Sequence, residues 1–385
     1  MTSSGYRIAH VQLLPLLSGV QRVTLDELER LSSDYQRWLI CKNEGALTEE
    51  ALKTGVQILA CQSLVREIHP RFDLKALWQL WRYCRRHRFD VVHTHSSKTG
   101  VLGRLAARLA GVPCIVHTVH GFAFPAAKSR LQRQIFHAME WLGARCSHLV
   151  ICLHEEDARI CIDALKLPPE RVAILSNGID LKKFLPLADG DDICVLRDEL
   201  GLPVDRQLII MVGRLWEQKD PGCLVEAYCQ LWQQGDPGAD LILVGDGDLR
   251  QQLQQQVDMA GLQAHVHFLG WRTDTPDLLR ASNIFVLPSR WEGMPLAILE
   301  AMGSGLPVVV SDIPGNRHLV AHEQQDLLFP MEDATALADA LHLLIVNPDL
   351  RASLGKNARQ KVENQHDIRD RIMRIEMLYG NVLNH

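Results

Sequence analysis

The 385-residue sequence has no Cys-x-x-Cys pair, no cluster of His and Cys at zinc-ligand spacing, no short internal repeat and no low-complexity run. Its ten cysteines, from Cys41 to Cys229, are scattered, which argues against a disulfide scaffold or a zinc module and predicts reduced thiols. No stretch reaches 18 uninterrupted apolar residues, and Met1–Ala9 is not a basic segment followed by an apolar one, so neither a spanning helix nor a signal peptide is expected. A cytoplasmic protein follows, at most peripheral on the inner face of the cytoplasmic membrane. With 47% hydrophobic and 23% charged residues, the composition excludes a largely disordered chain.

Instead, short apolar runs alternate with amphipathic stretches, the pattern of parallel strands covered by helices. Candidate strands are Arg7–Leu14, Gln36–Cys41, Val56–Leu59, Val91–His95, Cys114–Val119, His148–Cys152 and Val172–Leu175. A second series is Leu208–Val212, Leu241–Val244, Val266–Leu269, Ile284–Leu287, Val308–Ser311 and Asp326–Phe329. Between them lies Lys182–Asp205, rich in Asp, Pro and Gly, which marks a domain boundary. The expected fold class is α/β: two Rossmann-like domains, 1–185 and 186–368, facing across a cleft, with a last helix of about 369–385 packing back on the first. In such sheets ligands bind beyond the carboxyl ends of strands, so the residues after each strand are the ones to inspect.

Charge is divided unevenly. Residues 1–185 hold 25 Lys+Arg against 17 Asp+Glu, and residues 186–385 hold 16 against 29. A basic first half suits an anionic contact, such as a membrane surface or a phosphorylated acceptor, and no nucleic-acid motif accompanies it. Within it, Leu77–Phe89 combines Trp78 and Trp81 with Arg82, Arg85, Arg86 and Arg88. That segment reads either as an interfacial helix or as an ordinary surface helix packing its tryptophans on the core.

At the end of the first strand of the second series stands Gly213-Arg214-Leu215-Trp216-Glu217-Gln218-Lys219-Asp220-Pro221. Two fixed cations there suit a diphosphate leaving group, whose charge grows as a glycosidic bond breaks; each alone also suits an ordinary surface position. Further on comes Pro288-Ser289-Arg290-Trp291-Glu292-Gly293-Met294-Pro295-Leu296, leading to Glu300 and Gly303: a strand end, a loop and a helix start. Pro295 fits the first helical turn, Gly293 allows close backbone approach, and the free N–H groups at the helix start suit an anion. Carboxylates accept hydrogen bonds from hydroxyls, so Glu300 suits a ribose and Glu292 a donor sugar, while Glu300 alone also reads as an ion-pair residue. Asp246-Gly247-Asp248 reads as a turn after a strand rather than a divalent-metal site.

The Glu292–Glu300 spacing in SRWEGMPLAILEAMGSGLPVV, together with GRLWEQKDP, resembles the retaining glycosyltransferases of family 4, which have the GT-B fold. SGVQR (Ser18–Arg22), DVVHTHSSKTG (Asp90–Gly100), HTVHGF (His117–Phe122), SNGID (Ser176–Asp180), LVGDGDLR (Leu243–Arg250) and VHFLGW (Val266–Trp271) extend the resemblance over most of the chain. It implies transfer of a hexose or N-acetylhexosamine from a nucleotide diphosphate sugar, of the UDP-sugar kind, to a lipid-linked or saccharide acceptor in bacterial O-antigen or capsule synthesis. No metal or other cofactor is implied. Arg214 and Lys219 would hold the diphosphate and Glu300 the ribose. Glu292 and the backbone of Gly293, Met294, Pro295 and Leu296 would hold the sugar, and His120 would reach the sugar from across the cleft. Gly213 would lie beside the donor, Trp271 at the base, and the Ser18–Gly19 loop near the phosphates and acceptor.

Three departures from the family pattern stand out. Ser18 replaces the first glycine of a Gly-Gly loop. Ile313-Pro314-Gly315-Asn316-Arg317 stands where many relatives have Gly-Gly-x-Pro-Glu, and Gln325-Asp326 where an Asn-Gly is usual. Two rival readings share the fold: a sugar-nucleotide epimerase, which needs no acceptor, and a non-catalytic nucleotide-sugar-binding subunit.

Overall fold

The structure is a computed structural model and describes residues 5–42, 44–65, 67–122, 124, 129–188, 191–320 and 327–384. The chain divides into two compact units, Met1–Asn177 with Ile368–His385, and Gly178–Asp367.

In the first unit, β1 (Tyr6–Val11), β2 (Tyr35–Cys41), β3 (Gln57–Ala60), β4 (Val91–His95), β5 (Cys114–Val119), β6 (Leu149–Cys152) and β7 (Val172–Ile174) form one parallel sheet. Their order is β3-β2-β1-β4-β5-β6-β7. In the second, β8 (Gln207–Val212), β9 (Ala239–Val244), β10 (Val266–Gly270), β11 (Ile284–Leu287), β12 (Val308–Ser311) and β13 (Leu327–Phe329) run parallel in the order β10-β9-β8-β11-β12-β13. Central strands such as β5 and β9 are buried along their whole length, as parallel strands covered on both faces must be, and this is why they read as mostly apolar runs, broken only by His117, Thr118 and Asp240. Each sheet reverses its winding once, between β1 and β4 and between β8 and β11, and ligands of open α/β sheets bind beside such reversals.

The chain leaves the first unit at Asn177, ahead of the polar Lys182–Asp205 stretch expected to be the boundary. That stretch contains the helix Ile193–Leu200, whose Arg197 is buried against the second unit. Its guanidinium donates to the carbonyls of Ala281 (2.9 Å) and Arg206 (2.7 Å) and to Asn283 Oδ1 (2.7 Å), so one docked arginine makes a polar stretch part of the domain. The last helix, Ile368–Leu383, places Ile375 and Tyr379 in the core of the first unit.

Leu77–Phe89 falls mostly on the helix Pro70–His87, which buries Ala76, Leu80 and Cys84 at four-residue spacing. Its two tryptophans separate: Trp81 packs against the core, whereas Trp78 is 54% exposed, with the Arg82 guanidinium 5.4 Å from its ring centre. Among the described residues, no helix is long and apolar enough to cross a membrane.

Candidate active site

Both loops named from the sequence rise from the reversal in the second sheet. The Gly213–Asp220 loop follows β8 and the Pro288–Pro295 loop follows β11, and these strands are hydrogen-bonded neighbours. Lys219 Nζ donates to Glu292 Oε1 at 2.5 Å, and Ser289 Oγ donates to the same oxygen at 2.7 Å. Arg290 ties the loops again, its guanidinium reaching Asp220 Oδ2 at 3.1 Å and its backbone N–H the Gln218 carbonyl at 2.9 Å. Gln218 Nε2 closes the set on the Trp291 carbonyl at 3.0 Å. The cation expected for a diphosphate and the carboxylate expected for a sugar are therefore partners here, with the Glu292 side chain only 7% exposed.

The other side chains fall into place around them. Arg214 is partly exposed, with its guanidinium 4.5 Å from the Trp216 ring centre. Gly213 receives the close approach of β9's end: Gly245, at φ +130°, would put a Cβ 1.9 Å from the Gly213 carbonyl oxygen, so only glycine fits there. Asp246 turns back on its own loop, accepting from Gly247 N–H at 2.8 Å and pairing with Arg250 at 3.2 Å, the turn expected of Asp246-Gly247-Asp248.

Pro295 precedes the helix Leu296–Gly303 as its cap residue instead of lying in its first turn. Met294, Pro295 and Leu296 have buried side chains, and of the three only Met294 and Leu296 carry a backbone N–H. Glu300 lies on that helix, partly exposed. Trp271, just past β10, is 60% exposed, and Arg272 beside it is taken up by Asp274 at 2.8 Å.

In the first unit, Ser18 caps the helix Gly19–Arg30 through its backbone carbonyl, and its hydroxyl meets Gln21 Oε1 at 2.7 Å. Gly19 is exposed with open space where a Cβ would stand, so nothing within this unit demands glycine there. His120 follows β5 and joins a group invisible in the linear sequence. His10 on β1 is the register partner of His93 on β4, and His95, two residues on, faces the same side. His10 Nδ1 lies 3.0 Å from His95 Nε2, and His95 Nδ1 lies 3.0 Å from His120 Nε2.

Below these rings sits the buried pair Glu27–Arg371. The guanidinium donates twice to Glu27 Oε1, at 2.6 and 3.1 Å, and also to the carbonyls of Leu175 and Ser176. Burial pushes His10 and His120 down to about 3, with the Arg371 charge adding to the effect. Burial and the neighbouring rings hold His93 and His95 far below the ordinary range. These rings are neutral at physiological pH. His10, Glu27, His93 and His95 each bring one ligand-type atom within 4.8 Å of the others, yet the single carboxylate among them is already matched by a permanent cation.

Residues 17–183 match the family described as Glycosyltransferase Family 4, and residues 193–361 match Glycosyl transferases group 1. An Escherichia coli protein named UDP-Gal:alpha-D-GlcNAc-diphosphoundecaprenol alpha-1,3-galactosyltransferase is 44% identical, over 98% of this chain and 97% of its own. The chain belongs to the family 4 glycosyltransferases. A Campylobacter jejuni glycosyltransferase, named N,N'-diacetylbacillosaminyl-diphospho-undecaprenol alpha-1,3-N-acetylgalactosaminyltransferase, is 27% identical over 87% of this chain and 89% of its own. The crystal structure of Anabaena HepE in complex with UDP and glucose superposes with a TM-score of 0.84 at 22% identity, covering 98% of this chain and all of that one. This glycosyltransferase is thus an enzyme of sugar transfer with the two Rossmann-like domains of the GT-B fold.

Several residues that support the transferase's Lys219–Glu292 pair were not singled out from sequence. Ser289 is fully buried and its carbonyl accepts from Ser311 Oγ, while Asn316 Nδ2 donates to the Ser311 carbonyl at 3.0 Å. Gly315, within one of the departures from the family pattern, lies directly behind the loop: a Cβ there would meet the Glu292 carbonyl oxygen at 2.4 Å and that of Gly293 at 2.5 Å. The signal was present in the variant turn, although nothing local showed what it packs on. Replacing Gly315 by alanine is expected to push the Glu292 loop off its position. It should cost about 1–3 kcal/mol of stability, as overpacking does, with a larger proportional loss of transfer. Unfolding midpoints and transfer rates measured on the same preparation check this.

Proposed function

We propose that the chain transfers a hexose, galactose foremost, from a UDP-sugar to a saccharide carried on a polyprenyl diphosphate, with retention at the anomeric carbon and without a metal ion. The full-length likeness to the E. coli α-1,3-galactosyltransferase carries this reading, and the Campylobacter relative is also named for an α-1,3 transfer to a diphospho-undecaprenol acceptor. A UDP-hexose of the galactose series is α-linked, so an α product means retention.

In this reading Arg214 and Lys219 neutralise the departing diphosphate, supplying the charge that a metal would otherwise bring. Lys219 exchanges Glu292 for phosphate oxygens as the donor binds, which frees the carboxylate to accept from sugar hydroxyls. Glu300 accepts from the ribose hydroxyls, Trp271 stacks on the base, and the N–H groups from Gly293 to Leu296 line the sugar and phosphate, Pro295 having none to give. His120 donates to the sugar, and the Ser18–Gly19 loop serves the acceptor. The acceptor hydroxyl attacks on the face the diphosphate leaves and passes its proton to a phosphate oxygen. On the helix Pro70–His87, the exposed Phe72, Leu74 and Trp78 stand among Arg71, Lys75, Arg82 and Arg86, a surface suited to anionic lipid around a polyprenyl substrate.

The test is transfer in EDTA from labelled UDP-galactose, UDP-N-acetylgalactosamine and UDP-glucose to a short-chain polyprenyl-diphosphate GlcNAc. The expected result is an α-galactosyl lipid. Epimerised nucleotide sugar formed without acceptor, or no lipid product from any donor, contradicts the proposal. Replacing Trp271 by alanine should raise the KM for the UDP-sugar about tenfold, since base–aromatic stacking contributes roughly 1–3 kcal/mol, and should change kcat much less.

A further inference from the structure

The histidines of the first unit form an ordered line. His10 meets His95, His95 meets His120, and each contact is 3.0 Å between ring nitrogens, so one ring must donate and the other accept. A neutral imidazole has one N–H, so fixing the proton of the first ring fixes all three. Two polarities exist. In one, His10 carries Nδ1–H and donates to His95 Nε2; His95 then carries Nδ1–H and donates to His120 Nε2, leaving His120 with its proton on Nδ1. In the other, every proton sits on Nε2 and His120 presents a bare Nδ1.

Two observations select the first. Glu27 Oε2 lies 3.8 Å from His10 Nδ1 and 3.9 Å from His93 Nδ1, and it has no hydrogen-bond partner. A carboxylate so placed favours an N–H over a lone pair on the nitrogen that faces it. His10 Nε2 is also buried without a partner. A bare nitrogen is tolerated there, whereas the second polarity would strand an N–H donor in the core. Burial raises the Glu27 carboxyl, and the two hydrogen bonds from Arg371 oppose that and favour the carboxylate, so Arg371 belongs to the same device.

We infer that the Glu27–Arg371 pair sets the polarity of a His10–His95–His120 relay, so that His120 presents Nδ1–H as a hydrogen-bond donor to an oxygen of the sugar nucleotide. Glu27 and Arg371 are positioning residues, acting through His10 and His95. Sequence places these residues at 10, 27, 95, 120 and 371, and only the β1–β4 register and the returning last helix bring them together. The consequence for catalysis rests on the role of His120 proposed above.

The test reads tautomers directly, by nitrogen NMR of the full chain labelled at histidine, at neutral pH and without donor. In the wild-type protein His10, His95 and His120 should all be protonated on Nδ1 and bare on Nε2, against the usual preference of free histidine. Glu27→Gln should release that bias and move His120 partly or wholly to Nε2–H, with kcat/KM for UDP-galactose falling about tenfold. An Nε2–H His120 in the wild type, or a stoichiometric divalent metal bound to these rings, overturns the relay. Tautomers as expected, a shift in Glu27→Gln and unchanged kcat/KM would uphold the relay and overturn the role of His120 in donor binding. The wild-type spectrum decides the polarity even if Glu27→Gln fails to fold.

Discussion

Replacing Lys219 by alanine is expected to lower the rate of sugar transfer about a hundredfold. A fixed donor to a developing oxyanion contributes on the order of 3 kcal/mol to the transition state, and Lys219 is one of two cations at the end of β8. The same change also removes the ammonium that Glu292 holds at 2.5 Å, leaving a 7%-exposed carboxylate with the Ser289 hydroxyl. Some stability goes with it, roughly 1–3 kcal/mol, because a buried acceptor loses its charged partner. Lys219→Ala with Glu292→Gln separates the two effects: the double variant should regain much of the lost stability and none of the lost rate. Steady-state rates and unfolding midpoints of the three proteins provide the measurement. Recovery of the rate in the double variant would mean that Lys219 matters to the loop and not to the leaving group.

Acidification from pH 7 to 5.5 should destabilise the first unit by a few kcal/mol. His10, His93, His95 and His117 are buried, and burial is the largest cause of the depression of each. In the unfolded chain they titrate near 6.5, so below that value the unfolded state binds protons that the folded state does not. Stability therefore stands in full above about 6.5 and is lost as pH falls toward the depressed folded values, at about 1 kcal/mol for each ring over this interval. Asp157, raised to about 7 by burial, runs the other way, as does Glu27, and they offset part of the loss. With about 2–4 °C for each kcal/mol in a unit of this size, calorimetry should show the melting of the first unit falling by roughly 5–10 °C. A midpoint that holds or rises across the interval would contradict neutral, buried rings.

The strands were legible because a parallel strand buried on both faces needs an unbroken apolar run, and Ile284–Leu287 or Val308–Ser311 offers little else. The places of Arg214, Lys219 and Glu292 were legible because their loops follow the ends of β8 and β11, and that of Glu300 because a helix follows the second loop. Their separate roles concealed that Lys219 and Glu292 grip each other, since pairing between loops 73 residues apart depends on the β8–β11 neighbour relation. The compact units divide at Asn177, ahead of Lys182–Asp205: that stretch has the composition of a linker, whereas Arg197 within it docks on the second unit. The histidine group stayed hidden for a similar reason: His-Thr-His at 93–95 shows two rings on one face of a strand, but not that β1 brings His10 beside them. Gln325-Asp326, the third departure from the family pattern, lies outside the described residues.

The most direct measurement is a crystal structure of the protein with UDP. The diphosphate is expected within hydrogen-bond distance of both Arg214 and Lys219, with Lys219 parted from Glu292, the ribose on Glu300 and the uracil against Trp271. UDP bound elsewhere, or bound with the Lys219–Glu292 pair intact, would contradict the donor site at the end of β8 and β11.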